Sequence, residues 1–316
     1  MYLFLSFILF LNTVWAKQQI DIACYSPYLF PSEENPLKWD RLQEEFDLRF
    51  IYNGYIYANN FPGNHPNLKK IIFLDSCTDP KMKKLPKHKT VCFIWEPTQL
   101  HTFYYDCFSR VYTFDDDLVD DIKFFKFYYP VLQPMMSPLP SFDEKKLCAM
   151  IVCNWLPERI KMVDFFATKP KGSLDLYGNA PRQYYRHEMD KGRIGGGYSS
   201  PEKLNTLKNY RFCIYFENTH TIPGYVTEKL FDAFAAGCVP IYWGPENIED
   251  YIPTDCFIDY RNFNNNEEMY QFITSMTEFE YMQYLDRIQQ FLQSEQAQLF
   301  SQEHFFELVY EAILSG

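Results

Sequence analysis

The chain has 316 residues, room for about two domains of roughly 150 residues each. With 47% hydrophobic and 22% charged residues it is not a disordered chain, a collagen-like repeat or a polytopic membrane protein. The 41 acidic and 30 basic side chains leave a net charge of −11, which repels nucleic acid, so any phosphate must be held locally. Nine cysteines without C-x-x-C spacing and six scattered histidines give no metal-ligand pattern. Cys24, Cys92, Cys148, Cys213 and Cys238 lie in apolar runs and read as small buried hydrophobes.

In chain order, residues 2–11 are apolar except for Ser6, and Val14-Trp15-Ala16 resembles a small-x-small cleavage site. Ten helical residues reach about 15 Å, half a bilayer core. Residues 1–16 therefore read as a signal-like leader, and the secretory pathway or a membrane is the expected location (Golgi-like in a eukaryote, envelope in a bacterium). The alternative is a buried first element. Runs rich in β-branched and aromatic residues predict strands over 20–25, 48–52, 70–74, 90–95 and 110–114. Four prolines between 130 and 140 predict a linker, because they cannot continue a helix or a central strand.

A second series of strands follows over 147–153, 173–177, 211–216, 238–243 and 256–259, with helices over 157–167, 201–210, 225–236, 267–276 and 280–293. Ser200 suits an N-cap before Pro201, and Gly237 suits the left-handed residue that ends a helix. Strand, helix, strand with short joints is βαβ patterning, which implies parallel sheets covered by helices. The expected division is one parallel-sheet α/β domain over 17–140, a second over 145–295 and a final helix over 296–316, with ligands in the cleft at the strand ends.

One segment stands out as a carrier of chemistry. It runs Phe216-Glu217-Asn218, turns at Pro223-Gly224, and continues Tyr225-Val226-Thr227-Glu228-Lys229 into a predicted helix. A helix N-terminus offers free N–H groups to an anion, and Lys229 adds a full charge. On spacing alone, a Glu228 that complements the helix dipole and a solvated Lys229 are the plainer account. However, the pattern F-E-N…P-G-Y-V-T-E-K-L-F-D-A…A-G-x-V-P-I-Y-W-G over residues 210–259 closely resembles the α-1,3-fucosyltransferases of glycosyltransferase family 10.

That resemblance implies a GT-B α/β fold, two Rossmann-like domains facing across a cleft, and inverting transfer of fucose from GDP-fucose to a glycan hydroxyl without an essential metal or cofactor. It implies that Asn218, Tyr225, Glu228 and Lys229 belong to the nucleotide-sugar site, with Lys229 on the diphosphate and Asn218 and Glu228 on ribose or sugar hydroxyls. Cys153-Asn154-Trp155-Leu156-Pro157-Glu158-Arg159 resembles a further family segment, which makes Arg159 the second diphosphate cation and leaves Lys161 in reserve. An arginine grips phosphate through two parallel N–H bonds, which lysine cannot do. Trp95-Glu96-Pro97 resembles the segment bearing the family's proposed catalytic base, Glu96, although a lone W-E-P is more simply a strand end before a turn.

Two motifs offer competing readings. Asp115-Asp116-Asp117 could hold a divalent metal against a diphosphate, as in metal-dependent sugar transferases. The plainer account is an acidic loop after a strand. Gly195-Gly196-Gly197 lacks the preceding strand of a phosphate-cradling fingerprint and reads as a loop. A non-catalytic glycan-binding protein, its aromatics stacking on sugars, is the remaining alternative. The expected partners are GDP-fucose and a glycan acceptor, with membrane association left open by the leader.

Overall fold

The structure, a computed structural model, describes residues 18–25, 46–53, 67–74, 83–97, 105–179, 188–197 and 199–315. The leader over 1–16 lies outside the described residues. No helix among those described is long and apolar enough to cross a membrane.

The first sheet contains β1 (Gln18–Tyr25), β2 (Phe46–Asn53), β3 (Leu68–Leu74), β4 (Thr90–Phe93), β5 (Arg110–Thr113) and β6 (Phe124–Lys126) in the order β2-β1-β3-β4-β5-β6. The second contains β7 (Lys146–Val152), β8 (Asp175–Gly178), β9 (Tyr210–Phe216), β10 (Val239–Trp243) and β11 (Ile258–Asp259) in the order β11-β10-β9-β7-β8. Every pairing is parallel. Each sheet thus starts in its interior, runs to one edge and then reverses, which creates a crevice between its first and third strands. In the second sheet that crevice lies beyond the ends of β7 and β9. Central strands such as β4 and β10 are buried almost throughout, as parallel strands covered on both faces must be.

The helices of the second half are α1 (Pro157–Phe166), α2 (Pro201–Leu207), α3 (Glu228–Ala235), α4 (Asn266–Ser275), α5 (Glu278–Leu292), α6 (Glu295–Gln298) and α7 (Gln302–Leu314). Ser200 caps α2 by accepting from Lys203 N at 3.2 Å, and Gly237 takes φ +60° after α3. A Cβ on Gly237 would lie 2.2 Å from Leu139 of the proline-rich segment. That segment is no free linker. Leu132 N donates to Phe300 O at 2.9 Å and Met136 N to Ala235 O at 2.7 Å, which straps it along the second core.

Three expectations need correction. β6 was not anticipated, because only three residues carry it after an acidic loop. α3 begins at Glu228 rather than 225, since Gly224 at φ +81° turns the chain and leaves Tyr225 and Val226 outside the helix. The segment expected as one last helix is divided into α6 and α7, with Ser301 capping the second by accepting from His304 N at 3.0 Å. α7 returns to the first sheet, where Phe305, Val309, Ala312 and Ile313 join a core containing Phe93, Tyr112 and Phe127. Phe305 meets Phe93 edge-on at 5.4 Å between ring centroids. Four of the cysteines expected in the core, Cys92, Cys148, Cys213 and Cys238, are buried and free; the side chain of Cys24 lies outside the described residues.

Candidate active site

The crevice beyond β7 and β9 is bridged by one side chain. Arg159, buried on the first turn of α1, donates from Nη1 to Asn154 O at 2.7 Å and from Nη2 to Phe216 O and to Asn218 Oδ1, the last at 3.1 Å. Pro157 at the first helical position sets α1 off directly from the loop after β7, so the guanidinium is delivered to the strand ends. Burial lowers its pKa, the cost of placing a cation there. Arg159, Asn218, Glu158 and Glu217 line a cavity at this point, with His220 stacked on Trp243 at 4.7 Å along its wall. Lys161, the reserve cation, is exposed farther along α1, and Arg159 is the one that reaches the crevice.

β9 then delivers Glu217, a residue the sequence reading passed over. Its carboxylate is fully buried, yet it accepts from Thr227 Oγ1 at 2.7 Å, Lys229 Nζ at 2.7 Å, Tyr242 Oη at 3.1 Å and Thr227 N at 3.3 Å. Thr227 is the N-cap residue of α3, but its hydroxyl is turned to Glu217 and Lys229 and makes no cap bond. The first N–H groups of α3 are therefore not satisfied by the usual N-cap side chain, which suits an anion.

Glu228 and Lys229 open α3. Burial would lower the Lys229 pKa, but the charges of Glu217 and Glu228 hold it above the ordinary lysine range. Burial would raise that of Glu228, but Lys229 and Lys203 keep its carboxyl below its ordinary value. Lys203, on α2, is itself anchored to buried Asp232 at 2.6 Å, and Ser199 Oγ donates to the same carboxylate at 2.6 Å. A protein of net charge −11 thus gathers Arg159, Lys203 and Lys229 around one strand end.

Tyr225 links this group to the first sheet. Its ring packs on Phe114 at 4.9 Å and Tyr129 at 6.1 Å, inside the first core. Burial pushes the Tyr225 hydroxyl up, the carboxylates of Glu217, Glu96 and Glu228 push the same way, and a hydrogen bond with Asn218 opposes them. Glu96 is exposed just beyond β4, and Tyr129 Oη donates to the carbonyl of neighbouring Trp95. Of the six residues singled out from sequence, Arg159 and Asn218 line the cavity, Glu228 and Lys229 stand together at the start of α3, Tyr225 packs on the first core, and Glu96 lies just beyond β4.

The side chains of the competing motifs are engaged by other partners. Asp116 is engaged by Lys126, Asn247 and Tyr251, and Asp115 Oδ1 accepts from Asp117 N at 3.1 Å. Among the described residues, no three His, Cys, Asp or Glu side chains converge to hold a metal ion. Gly195 O accepts from Ser200 Oγ at 3.3 Å, so the glycine run abuts the start of α2.

Two parallel-sheet α/β units, with charged residues gathered near the end of β9, have the architecture of the GT-B class of glycosyltransferases. The model for the glycosyltransferase family 10 (fucosyltransferase) C-terminal region matches residues 142–309, and the chain belongs to that family. Over 142 residues it is 33% identical to 4-galactosyl-N-acetylglucosaminide 3-alpha-L-fucosyltransferase 9 of Mus musculus, a match covering 44% of this chain and 35% of that protein. The chain thus spans about a third of the length of the curated relatives it matches. A solved α1,3-fucosyltransferase with GDP superposes with a TM-score of 0.59 at 15% identity, over 95% of this chain and 92% of the other. A DNA-modifying β-glucosyltransferase superposes with a TM-score of 0.55 at 11% identity, over 94% and 99%. Those two likenesses bear on the fold.

Proposed function

We propose that this chain is an inverting α-1,3-fucosyltransferase that moves fucose from GDP-fucose to a hydroxyl of a glycan acceptor, without an essential metal. The observation that carries the reading is the gathering of Arg159, Asn218, Glu228 and Lys229 near the end of β9, beside Tyr225, whose ring packs on Phe114 and Tyr129 of the first core. Glu96 takes the proton of the acceptor hydroxyl as that oxygen attacks the anomeric carbon. The C–O bond to GDP breaks on the opposite face, which inverts the configuration. Arg159, Lys229 and the N-terminal end of α3 receive the charge that develops on the diphosphate, while Asn218 and Glu228 hold ribose or sugar hydroxyls. Asp116 already accepts from Lys126, Asn247 and Tyr251, which supports a reaction that does not route a metal through the aspartate run. The apolar leader supports export or membrane attachment.

Calorimetry with GDP and UDP, followed by turnover of a panel of nucleotide sugars, tests the donor. GDP should bind well ahead of UDP and GDP-fucose alone should be consumed, at an undiminished rate in excess chelator. Equal affinity for GDP and UDP removes the donor assignment. Glycan binding with no GDP-fucose turnover leaves a glycan-binding protein instead.

A further inference from the structure

The aspartate run has a use that the proposed chemistry does not absorb. Asp116 Oδ1 accepts from Lys126 Nζ at 2.6 Å and from Tyr251 Oη at 2.6 Å. Oδ2 accepts from Asn247 Nδ2 at 2.8 Å and from the same phenol at 2.5 Å. Lys126 Nζ also donates to Tyr251 Oη at 2.6 Å and to Phe114 O at 2.8 Å, and it lies 4.6 Å from the Tyr251 ring centroid. Asp116 and Lys126 come from the β5–β6 region of the first sheet, Asn247 and Tyr251 from the segment after β10 in the second.

The same residues grip the turn that leads into α3. Gly224 N donates to Asn247 Oδ1 at 3.0 Å, and Asp116 N donates to Pro223 O at 3.2 Å. Gly224 sits so close to this group that a Cβ would lie 2.4 Å from Phe114 O, 2.6 Å from Lys126 Nζ and 2.8 Å from Tyr251 Oη. The next residue is Tyr225, and Thr227, Glu228 and Lys229 follow. Residues 217–227 form neither helix nor strand, so their position depends on contacts of this kind. Displacing a binding group by about 1 Å can cost on the order of 10² in rate.

We propose that Asp116, Lys126, Asn247 and Tyr251 form an inter-domain clasp that positions the Pro223-Gly224-Tyr225 turn, and through it the start of α3, for donor binding. These are positioning residues. Asp116 acts by hydrogen bonding to the other domain and is not a metal ligand. The inference rests on the donor site proposed above.

An amide–carboxylate exchange tests it. Asn247→Asp sets two carboxylates against each other, so GDP affinity should fall roughly tenfold and kcat/KM by about 10². Adding Asp116→Asn to that variant restores one amide and one carboxylate, with Asn donating where Asp accepted. The double variant should return to within about threefold of wild type in GDP affinity, as paired removal of a coupled contact requires. Hydrogen exchange at the amides of residue 116 and Gly224 should accelerate in the single variant and slow again in the double. All assays are run in excess chelator.

A double variant as impaired as Asn247→Asp overturns the clasp, as does an Asn247→Asp variant with wild-type GDP affinity and exchange. Should Asn247→Asp fail to fold, Tyr251→Phe removes one donor without adding charge. It should weaken GDP and speed exchange at Gly224 with little change in Tm, and no change in either overturns the proposal. Absence of GDP binding in the wild type removes the donor assignment alone, because the exchange data on Gly224 still decide the clasp.

Discussion

Lys229→Ala should lower kcat by about 10²–10³, the loss that follows removal of one donor aimed at developing transition-state charge. The structure adds a second cost. Lys229 Nζ is also the cation that neutralises Glu217, whose carboxylate is fully buried 2.7 Å away. Removing one partner of a buried pair leaves an uncompensated charge, typically about 3–5 kcal/mol of stability. Lys229→Ala should therefore lose both turnover and Tm, and the two losses separate in a double variant. Glu217→Gln combined with Lys229→Ala removes the stranded charge, so Tm should recover substantially while turnover does not. Arg159→Lys keeps the charge but gives up the fork that spans Asn154, Phe216 and Asn218, and it should lose much of the activity too. Neither loss should be rescued by Mg²⁺ or Mn²⁺. If Lys229→Ala turns over GDP-fucose at the wild-type rate, the diphosphate is held elsewhere and the donor site is misassigned.

What the sequence disclosed, and what it hid, follows from how far away each residue finds its partners. Ser200 before Pro201 and Gly237 after α3 were legible because a cap or a left-handed residue needs only its immediate neighbours. The βαβ alternation that implied parallel sheets was legible for the same reason. Tyr225 stays outside the helix expected from residue 225 because the Pro-Gly turn does not end at Gly224: Val226 N bonds back to Gly224 O at 2.9 Å and extends it. Glu217 was missed because one acid at the end of an apolar run looks like a strand meeting solvent. Its partners Thr227, Lys229 and Tyr242 lie 10, 12 and 25 residues on, and only the fold folds them back. Asp116 is the extreme case, with Asn247 and Tyr251 131 and 135 residues distant. A run of aspartates in a sequence suggests a metal; cross-domain donors to Asp116 suggest a clasp. The roles expected for Glu96 and Arg159 rest on family resemblance, since W-E-P and an arginine two residues after Pro157 carry little information alone.

Glu96→Gln should reduce turnover by about 10²–10⁴, the range supplied by a positioned general base. The substitution keeps the side chain's shape and its capacity to hydrogen-bond the acceptor hydroxyl, but it removes the group that accepts the proton. Glu96 lies just beyond β4 of the first sheet, and its charge is one of those that push the Tyr225 hydroxyl up. The cations proposed for the diphosphate all belong to the second sheet's domain. GDP affinity measured by calorimetry should therefore stay nearly unchanged, and the defect should appear in kcat with acceptor KM moving little. Glu96→Asp makes the complementary test. It retains the carboxylate but withdraws it by one methylene, so activity should fall between wild type and Glu96→Gln. A nucleophile that arrives already ionised needs no base: small anions such as azide should restore consumption of GDP-fucose in Glu96→Gln, where the glycan acceptor does not. Wild-type turnover of glycan by Glu96→Gln takes Glu96 out of the mechanism and moves the search for the base to the other carboxylates sensed by Tyr225, Glu217 and Glu228.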